Sequence, residues 1–412
     1  MNPTLQHQLV DRVLAHLERR TTDTEPAPTL LPIASYYVGP AGEARFTREH
    51  TALFRELPVL VGHISQVPDP GDFFTHDASG VPLLIARDDA GEVHAFLNVC
   101  RHRGTRLEPA ACGQGKRAFV CPYHAWSYGR DGALLGIPHE RGFATITREQ
   151  RGLARVPCGV AAGLIFVKPT AESARPVELA ASAGGAIGAA AIRDAERAHA
   201  GTLDATAWLG PQIVDDLVGF GLASSVTYAA RRTERALNWK LAIDVFLETY
   251  HLRPVHKESI FPMFFDNLGL VDPIGPHLRN IFPKRSIKDL AGEPRETWAL
   301  RRHANILYHL FPNTLILVEP DHAGVLTLWP QGPRDTLLTS FTLVPEAPVT
   351  DKARAYWDAN NRILDGAVDE DFAMGESIQA GLASGANAEV VFGAFEHALA
   401  HFHRQVEQLA AQ

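Results

Sequence analysis

The stretch NVCRHRGTRLEP (98–109) is followed closely by CPYHAWSYGRDG (121–132). The first contains a C-x-H pair and the second a C-x-x-H pair, and eighteen residues separate the two pairs. Two thiolates and two imidazoles form a complete ligand set for one metal unit. Each pair follows a predicted strand and runs into a turn that contains glycine. The pattern therefore predicts two loops of a β-scaffold that lie side by side and close on a metal centre.

A structural zinc site uses the same kinds of ligand in a tetrahedral arrangement. Zinc sites of this kind favour C-x-x-C knuckles in very small domains that need the metal to fold. The two pairs lie instead within a larger β-unit. On residue type alone, an iron–sulfur cluster and a structural zinc ion both remain open.

Short apolar runs separated by turn residues surround both pairs from about Pro58 onward. The sequences DDAG (88–91) and GRDG (129–132) lie between alternating apolar runs, which is typical of tight β-hairpins. We therefore predict an all-β unit over residues 55–168. The segment 169–208 is rich in Ala and Gly, and we predict that it is an insertion that packs poorly.

The rest of the chain mixes helices and strands. An amphipathic N-terminal helix is predicted within residues 1–54, a segment that we expect to pack on a C-terminal domain, 209–412. In that domain, alternating runs after Leu310 predict an antiparallel meander, and two amphipathic helices are predicted over 352–380 and 388–409. Antiparallel strands with helices laid on one side predict an α+β fold class.

Composition excludes several classes of protein. The chain has 412 residues, a formal charge of −8 and 46% hydrophobic residues, which is typical of a globular protein. No run of basic residues is present, so we do not expect a nucleic acid as a partner. No G-x-G-x-x-G or Walker loop follows a predicted strand, so the chain is not expected to bind its own nicotinamide or nucleotide.

Sequence patterns also bear on the expected compartment. The longest stretch without charge or proline, 179–192, is too short to span a bilayer, and the N-terminal helix lacks the pattern of a signal peptide. Four cysteines in a chain of this length do not form a disulfide scaffold. We therefore expect a cytoplasmic protein without membrane association.

A second set of metal-binding residue types lies in NWKLAIDVFLETYHLRPVHKES. A helix predicted from Trp239 to His251 would place Glu248 and His251 on one face. Pro254 is expected to interrupt the helix and so to bring His256 back toward His251. Two histidines and a carboxylate from elsewhere in the chain would form a 2-His-1-carboxylate facial triad, which leaves positions on Fe(II) open for dioxygen and substrate.

The cysteine–histidine stretches resemble the [2Fe–2S]-binding loops of Rieske domains, in the variety found in ring-hydroxylating oxygenases. The resemblance implies that Cys100 and Cys121 hold one iron of the cluster and that His102 and His124 hold the other. Ala125 stands where many members of the family have Gly.

The second set is similar to the catalytic α subunits of the same family. The family pattern is N-W-K, an acidic residue, and then two histidines, and it implies that His251 and His256 bind the mononuclear iron. The third ligand of the family lies on a C-terminal helix, where Asp371 in DEDFAMGESIQAGLASG is the matching position. Asp369 and Glu370 are the alternatives if the register is shifted.

Glu248 matches the position of the family's bridging carboxylate. The resemblance implies that it connects His251 of its own subunit to His124 of a neighbouring subunit and orients both imidazoles. A head-to-tail contact of this kind closes into a ring, and a homotrimer is implied. Most relatives have Asp at this position, and Glu resembles the branch that acts on quaternary amines.

The resemblance implies a Rieske non-haem iron oxygenase α subunit, with an all-β Rieske [2Fe–2S] domain and a helix-grip catalytic domain. It would use O2 and electrons from a separate NAD(P)H-dependent reductase, with or without a ferredoxin and a β subunit. The expected reaction is the hydroxylation or dihydroxylation of a small organic substrate, with aromatic compounds expected first. A monooxygenase or demethylase that acts on a quaternary ammonium or methoxy compound is the alternative. A Rieske electron carrier without oxygenase activity and a zinc-stabilised ligand-binding protein are alternatives from other classes.

The remaining histidines and cysteines are expected to be structural. We predict a solvated helix face for His397, His401 and His403, free thiols at Cys112 and Cys158, and core or pocket-edge positions for His303 and His309. A further group of apolar residues near the second set is compatible with either an apolar pocket or ordinary core packing: Phe246, Phe261, Met263, Phe264 and Phe265.

Overall fold

The structure is a computed structural model that describes residues 1–170 and 202–411. The chain divides into two compact units. The larger unit consists of Met1–Leu53 and Leu209–Gln412, and the smaller unit is Phe54–Trp208.

Most of the Ala/Gly-rich insertion predicted over 169–208 lies outside the described residues. Within the described ranges, no helix combines the length and the apolar character that crossing a bilayer requires.

The helices follow one another in chain order as α1 (Pro3–Arg19), α2 (Gly42–Phe54), α3 (Ala205–Leu209), α4 (Pro211–Gly219), α5 (Trp239–Asp244), α6 (Leu252–Val255), α7 (Leu300–His303), α8 (Asp351–Leu382) and α9 (His397–Ala410). Short 3-10 helices lie at Ile33–Tyr36, Ile64–Gln66, Glu140–Phe143, Glu149–Arg151, Leu222–Ser224, Phe261–Met263, Arg285–Gly292 and Arg295–Thr297.

The strands are β1 (Thr29–Pro32), β2 (Val59–His63), β3 (Phe73–His76), β4 (Leu83–Arg87), β5 (Val93–Leu97), β6 (Cys112–Gly113), β7 (Phe119–Val120), β8 (Ser127–Tyr128), β9 (Leu134–Gly136), β10 (Arg155–Val156), β11 (Cys158–Ala161), β12 (Leu164–Val167), β13 (Val226–Arg235), β14 (Leu270–Ile274), β15 (His277–Pro283), β16 (Ala304–Leu310), β17 (Thr314–Val318), β18 (Ala323–Gly332), β19 (Asp335–Val344) and β20 (Glu389–Phe392).

The smaller unit is built on antiparallel strands, as the sequence predicts. One sheet has five strands in the order β10-β5-β4-β3-β6, and two have three strands, β11-β12-β2 and β7-β8-β9. The predicted DDAG hairpin joins β4 to β5, and Asp88 Oδ1 shapes it by accepting hydrogen bonds from the backbone N–H groups of Ala90 and Glu92, both at 2.9 Å. The predicted GRDG hairpin joins β8 to β9.

The larger unit contains a seven-stranded antiparallel sheet in the order β13-β19-β18-β17-β16-β15-β14. From β14 to β19 each strand pairs with the one that follows it in the chain, which confirms the predicted meander. β13 pairs with β19 at the far edge. Helices accompany this sheet, so the predicted α+β class is confirmed.

Two of the three predicted amphipathic helices are confirmed, and they are α1 and α8. The start of the third helix was predicted wrongly. The helix predicted over 388–409 begins only with α9, because Glu389–Phe392 forms β20 and pairs with β1. Val390 and Val391 are β-branched and suit an extended strand better than a helix.

The N-W-K motif fastens α5 to the N-terminal segment of the same unit. Asn238 caps the helix, since its Oδ1 accepts a hydrogen bond from Lys240 N at 2.8 Å, and its Nδ2 donates to Tyr36 O at 3.2 Å. Trp239 Nε1 donates to the Tyr37 hydroxyl at 3.0 Å. Each residue of the motif therefore has a positioning role.

Lys240 completes this anchor with a buried ion pair. Its Nζ lies 2.7 Å from Glu49 Oε2, and neither side chain is more than 1% exposed. Glu49 also accepts hydrogen bonds from Tyr37 Oη and Arg45 Nε, both at 2.6 Å. Burial by itself would raise the pKa of the Glu49 carboxyl, but these neighbours outweigh burial and lower it.

We expect Lys240→Met to destabilise the larger unit by about 3–5 kcal/mol, because it leaves Glu49 buried without its strongest partner. The double variant Lys240→Met/Glu49→Leu should cost less than the sum of the two single changes. Urea unfolding followed by circular dichroism measures both. The control is Arg404→Met, which breaks an exposed pair with Glu25 and should cost less than about 1 kcal/mol. Equal effects of Lys240→Met and Arg404→Met would contradict this role.

Candidate active site

The first cysteine–histidine loop lies between β5 and β6 and is closed by its own backbone. Cys100 N donates to Thr105 O at 2.8 Å, and Gly104 N donates to Cys100 O at 3.0 Å. Gly104 has a φ of 84°, a conformation that favours glycine.

The second loop, between β7 and β8, repeats this geometry. Cys121 N donates to Trp126 O at 2.8 Å, and Ala125 N donates to Cys121 O at 3.0 Å. Ala125 occupies the position that Gly104 occupies in the first loop, and its φ of 56° is also left-handed. Glycine adopts a left-handed conformation without strain, which explains why many members of the family have glycine at this position. In this chain alanine adopts the same conformation at an energetic cost.

The four side chains of these loops differ in burial, with the cysteines inside and the histidines nearer the surface. Cys100 and Cys121 are 2% and 3% exposed and belong to the hydrophobic core of the smaller unit. His102 and His124 are half-buried, and their Nδ1 atoms lie 3.1 Å apart. Trp126 is stacked on the His102 ring, with ring centres 4.9 Å apart.

This arrangement does not suit a tetrahedral zinc ion. Four ligands of one zinc ion would all lie within about 4 Å of one another, because each bond is about 2.0–2.3 Å long. Among the residues that the structure describes, no three of these four have ligand atoms within 4.8 Å of one another. The four side chains are therefore too widely spaced for a single zinc ion.

In the larger unit, the predicted helix from Trp239 to His251 is shorter than expected. α5 ends at Asp244, and Glu248 lies in an irregular turn rather than on a helix face. The Glu248 carboxylate accepts hydrogen bonds from the backbone N–H groups of Tyr250 and His251. These backbone groups precede α6 and have no partner within a helix, so the carboxylate satisfies them.

Pro254 does not interrupt a helix but lies within the single turn of α6. Val255 N donates to His251 O at 3.0 Å, and His256 N donates to Leu252 O at 3.1 Å. Proline in a first helical turn loses no hydrogen bond, because its N–H would have no partner there. The turn brings His256 beside His251 as predicted, with ring centres 5.2 Å apart.

Asp371, on α8, meets both histidines. Its Oδ1 lies 2.9 Å from His256 Nε2 and 3.3 Å from His251 Nε2. The ligand atoms of these three residues lie within 4.8 Å of one another, which is suitable for one metal ion. The structure therefore brings together the three residues that the sequence predicts for the mononuclear site.

A carboxylate holds the other ring nitrogen of each histidine. His251 Nδ1 contacts Glu248 Oε1, and His256 Nδ1 lies 2.6 Å from Glu370 Oε2. A carboxylate at Nδ1 holds a ring proton there, so that each Nε2 would be available to bind a metal ion. The sequence did not predict this role for Glu370, because no spacing rule connects it to His256.

The two acidic neighbours of Asp371 face other groups. Asp369 pairs with Arg235, and its Oδ2 lies 3.9 Å from Arg231 Nη2. Glu370 accepts a further hydrogen bond from Ser259 Oγ at 2.6 Å. Of the three carboxylates, Asp371 is therefore the one that faces both Nε2 atoms.

The residues fit a mononuclear metal ion. Asp371 Oδ1 is buried and makes no hydrogen bond within the described part of the chain, although two Nε2 atoms lie near it. Burial lowers the pKa of His251, but Asp371 and Glu248 outweigh burial and raise it to about 10. The site therefore attracts positive charge. A metal ion that replaces the Nε2 protons would be held by two imidazoles and one carboxylate oxygen at a single buried point.

An apolar cavity adjoins the three side chains. Six of its lining residues project from one face of the large sheet: Phe282, Asn305, Leu307, Leu315, Leu317 and Leu326. Leu364, Ala367 and Val368 line it from α8. Most of the residues that line the cavity are apolar, which is typical of small-molecule sites.

Two family models match the chain. The model of the Rieske [2Fe-2S] domain matches residues 58–149, and that of the ring hydroxylating alpha subunit (catalytic domain) matches residues 222–412. Together they match most of the chain and include every residue of both sites. The chain belongs to the Rieske non-haem iron oxygenases, as an alpha subunit.

Choline monooxygenase of Spinacia oleracea is 28% identical to this Rieske oxygenase over 391 residues, which cover 93% of this chain and 79% of the relative. The solved structure of the quaternary ammonium Rieske monooxygenase CntA has a TM-score of 0.74 at 21% identity, over 93% of this chain and 96% of its own. Naphthalene 1,2-dioxygenase from Rhodococcus sp. has a TM-score of 0.68 at 18% identity, over 98% of each chain. The likeness to the two solved structures is one of fold.

These matches confirm the expected class of enzyme and its cofactors. The protein is an oxidoreductase with a Rieske [2Fe–2S] cluster and a mononuclear non-haem iron. Its family takes electrons from a reductase or a ferredoxin and acts on small molecules with O2.

The prediction of a solvated helix face is wrong for His403. This residue is 3% exposed, and its Nε2 lies 3.0 Å from Asp244 Oδ1 and 3.2 Å from the Tyr36 hydroxyl. Burial of the helix face against these groups explains the difference. His397 and His401 are half-buried.

The remaining predicted structural residues lie in different surroundings. His309 is fully buried and pairs through Nε2 with Pro312 O at 3.1 Å, whereas His303 is half-buried. Cys112 and Cys158 are free, the first exposed and the second buried.

Two of the five apolar residues grouped near the second set line the cavity, namely Phe246 and Phe264. Phe261, Met263 and Phe265 are not among the described residues that line it, and Met263 is 46% exposed. The expectation of an apolar pocket is therefore met by part of the group.

We expect Ala125→Gly to stabilise the cluster loop by up to about 1 kcal/mol, because glycine adopts the left-handed conformation without strain. The measurement is the temperature at which the visible absorbance of the cluster is lost, which should rise. Gly104→Ala is the matched control at the equivalent position of the first loop. An added Cβ there meets nothing within 4 Å, so its cost should be conformational and the temperature should fall. A fall in both variants would contradict this explanation.

We expect Asp371→Asn to lose most of its mononuclear iron while it keeps the cluster, because the buried anionic oxygen that faces both histidines is removed. Asp369→Asn is the matched control on the same helix turn and should keep both metals. Glu370→Gln should weaken iron binding about 10–100-fold through His256. Iron and acid-labile sulfide analysis distinguishes these outcomes. Equal iron loss in the Asp369 and Asp371 variants would count against Asp371 as the ligand.

Proposed function

We propose that this Rieske oxygenase activates dioxygen at an iron ion held by His251, His256 and Asp371 and inserts oxygen into a small organic substrate bound in the adjoining cavity. The observation that carries the proposal is the convergence of two Nε2 atoms and one carboxylate oxygen at the wall of an apolar cavity. The bound iron supplies the site of dioxygen reduction, and three protein ligands leave its other positions open.

Protein side chains orient the ligands and exclude water. Glu248 and Glu370 hold the ring protons at Nδ1, so that both Nε2 atoms keep their lone pairs for the ion. The apolar lining keeps water away from the reacting centre, which strengthens the electrostatic interactions there.

We assign the cluster to Cys100 and Cys121 on one iron and to His102 and His124 on the other. The burial of both cysteines and the partial exposure of both histidines support this assignment, because electrons then enter and leave at the imidazole side. The Tyr128 hydroxyl lies 3.4 Å from Cys100 Sγ, and a hydrogen bond to a ligating sulfur tunes the reduction potential.

Electron transfer to the mononuclear iron is proposed to cross between subunits. Glu248 holds His251 Nδ1, and in a ring of subunits its carboxylate would also face His124 of a neighbouring copy. Inter-subunit electron transfer has been described for CntA. A homotrimer is the proposed assembly, because head-to-tail contacts that close into a ring supply each iron with one neighbouring cluster.

The proposed domain boundaries remain those drawn from the sequence, with a Rieske domain over 55–168 and a catalytic domain over 209–412. The N-terminal segment 1–54 is proposed to serve the catalytic domain, to which the N-W-K anchor ties it. A separate NAD(P)H-dependent reductase, with or without a ferredoxin, is the proposed electron donor.

A Rieske electron carrier would not need the second site, which His251, His256 and Asp371 form. A carrier needs neither an apolar cavity nor a carboxylate oxygen that faces two imidazoles beside it. Quaternary ammonium compounds are the alternative substrate class, since CntA binds L-carnitine and the Spinacia relative is named for choline.

We expect Glu248→Gln to keep both metal centres and to lose most product formation in a single turnover, because a neutral amide no longer holds the His251 ring proton and no longer bridges to a second imidazole. The measurement is the product yield per reduced cluster when the chemically reduced protein meets O2 and the substrate.

The matched control for this experiment is Glu258→Gln, whose carboxylate is 88% exposed beside Lys257. It should give the wild-type yield. An undiminished yield in Glu248→Gln, with both metals present, would exclude the bridging role.

A further inference from the structure

The cavity beside the metal-binding residues has an uneven distribution of polar groups. On its sheet wall, Phe282 pairs with Asn305, Leu307 with Leu317, and Leu315 with Leu326, so these side chains share one face. Asn305 is the one polar residue among these six. A single amide therefore interrupts a hydrocarbon surface.

The Asn305 amide has an unused acceptor. Its Oδ1 is buried and has no hydrogen-bond partner within the described residues. A buried oxygen in this state lowers the stability of the protein, because desolvation is not offset by a new hydrogen bond. A bound molecule with an O–H or N–H group would remove this penalty.

Neighbouring polar groups on the same face are also without partners. Asn280 pairs with Leu307 on the next strand, is fully buried, and has no partner for its Oδ1 or Nδ2 within the described ranges. His309 Nδ1 is likewise without a partner. Burial lowers the pKa of His309, so its imidazole is neutral near pH 7. The polar groups that lie beside Asn305 on this sheet face are therefore uncharged.

The charged residues that line the cavity already contact one another. Glu248 and Asp371 contact the two triad histidines, and among the described residues that line the cavity there is no Lys, Arg, Trp or Tyr. A quaternary ammonium ion is usually held by an aromatic cage of Trp and Tyr or by a free carboxylate, and a carboxylate ligand by Arg or Lys. The aromatic rings of the lining are Phe246, Phe264 and Phe282, and among the described lining residues no Trp, Tyr, Lys, Arg or free carboxylate accompanies them.

We propose that the cavity selects an uncharged, largely apolar substrate that carries one hydrogen-bond donor, and that Asn305 orients it by accepting that hydrogen bond through Oδ1. This rests on the proposed oxygenase function and specifies its substrate class. Substrates of the quaternary ammonium class, for which two of the relatives are named, would lack a counter-group in this cavity.

The test is the binding of four probes to the anaerobic holoprotein, measured by equilibrium dialysis: 2-naphthol, naphthalene, 2-naphthoate and choline. We expect 2-naphthol to bind about tenfold more tightly than naphthalene, as one well-placed neutral hydrogen bond allows. The anion and the quaternary cation should bind more weakly than either. Tighter binding of choline or 2-naphthoate than of 2-naphthol, or no binding of any probe, would overturn the proposal.

Asn305→Leu should reduce the tenfold preference for 2-naphthol to about twofold or less. It should also raise the thermal unfolding midpoint, since it removes a buried oxygen without a partner. Asn305→Thr keeps a hydroxyl acceptor and should restore part of the preference. Glu258→Gln, whose exposed carboxylate does not line the cavity, is the control and should keep the full preference. An unchanged preference in Asn305→Leu would overturn the assignment of Asn305. If that variant fails to fold, an unchanged preference in Asn305→Ala, which also lacks the acceptor, would overturn it as well.

Product formation from 2-naphthol with a surrogate reductase is measured separately. Absence of product together with the expected binding ratios would reject the proposed oxygenation and leave the binding proposal standing. If product forms but the preference of Asn305→Leu for 2-naphthol over naphthalene is unchanged, only the role of Asn305 is rejected.

Discussion

Asp371 holds a carboxylate oxygen at a buried point that two imidazole nitrogens also face. Such a cluster favours positive charge at that point, supplied either by protons on the imidazoles or by a metal ion. The carboxylates at the far side of each ring, Glu248 and Glu370, would hold the remaining ring protons when a metal ion is bound. Much of the larger unit can be understood as the frame that holds this arrangement.

The frame depends on elements that are far apart in the chain. α8 carries Asp371 and Glu370, and a single helical turn carries both histidines. The N-W-K anchor ties the preceding helix to the N-terminal segment through a buried ion pair and two hydrogen bonds. A displacement of α5 would move the histidines, so these remote contacts serve the metal site through geometry.

The two cysteine–histidine loops position their side chains through local hydrogen bonds, without contacts between distant elements. Each closes on itself with the same pair of backbone hydrogen bonds and a left-handed residue at the same position, Gly104 in one loop and Ala125 in the other. Local backbone geometry thus presents one cysteine inward and one histidine outward from each loop. This need for inward and outward ligands explains why a motif of a few residues is sufficient to identify such a site from sequence.

Motifs, alternation of apolar residues and turn signals were sufficient to predict the antiparallel strands, the meander and the long helix α8, because each of these features is encoded by neighbouring residues. The residues of the two sites were predicted from a family resemblance, and the structure brings three of them together, His251, His256 and Asp371. The helix through Glu248, the helix start at 388 and the exposure of His403 were predicted wrongly, and distant partners determine the second and the third. The sequence suggested Glu370 only as an alternative metal ligand, and Asn305 gave no sequence signal. Their importance depends on which groups the folded chain places beside them, and a hydrogen bond or its absence exists only once those distant strands and helices have met.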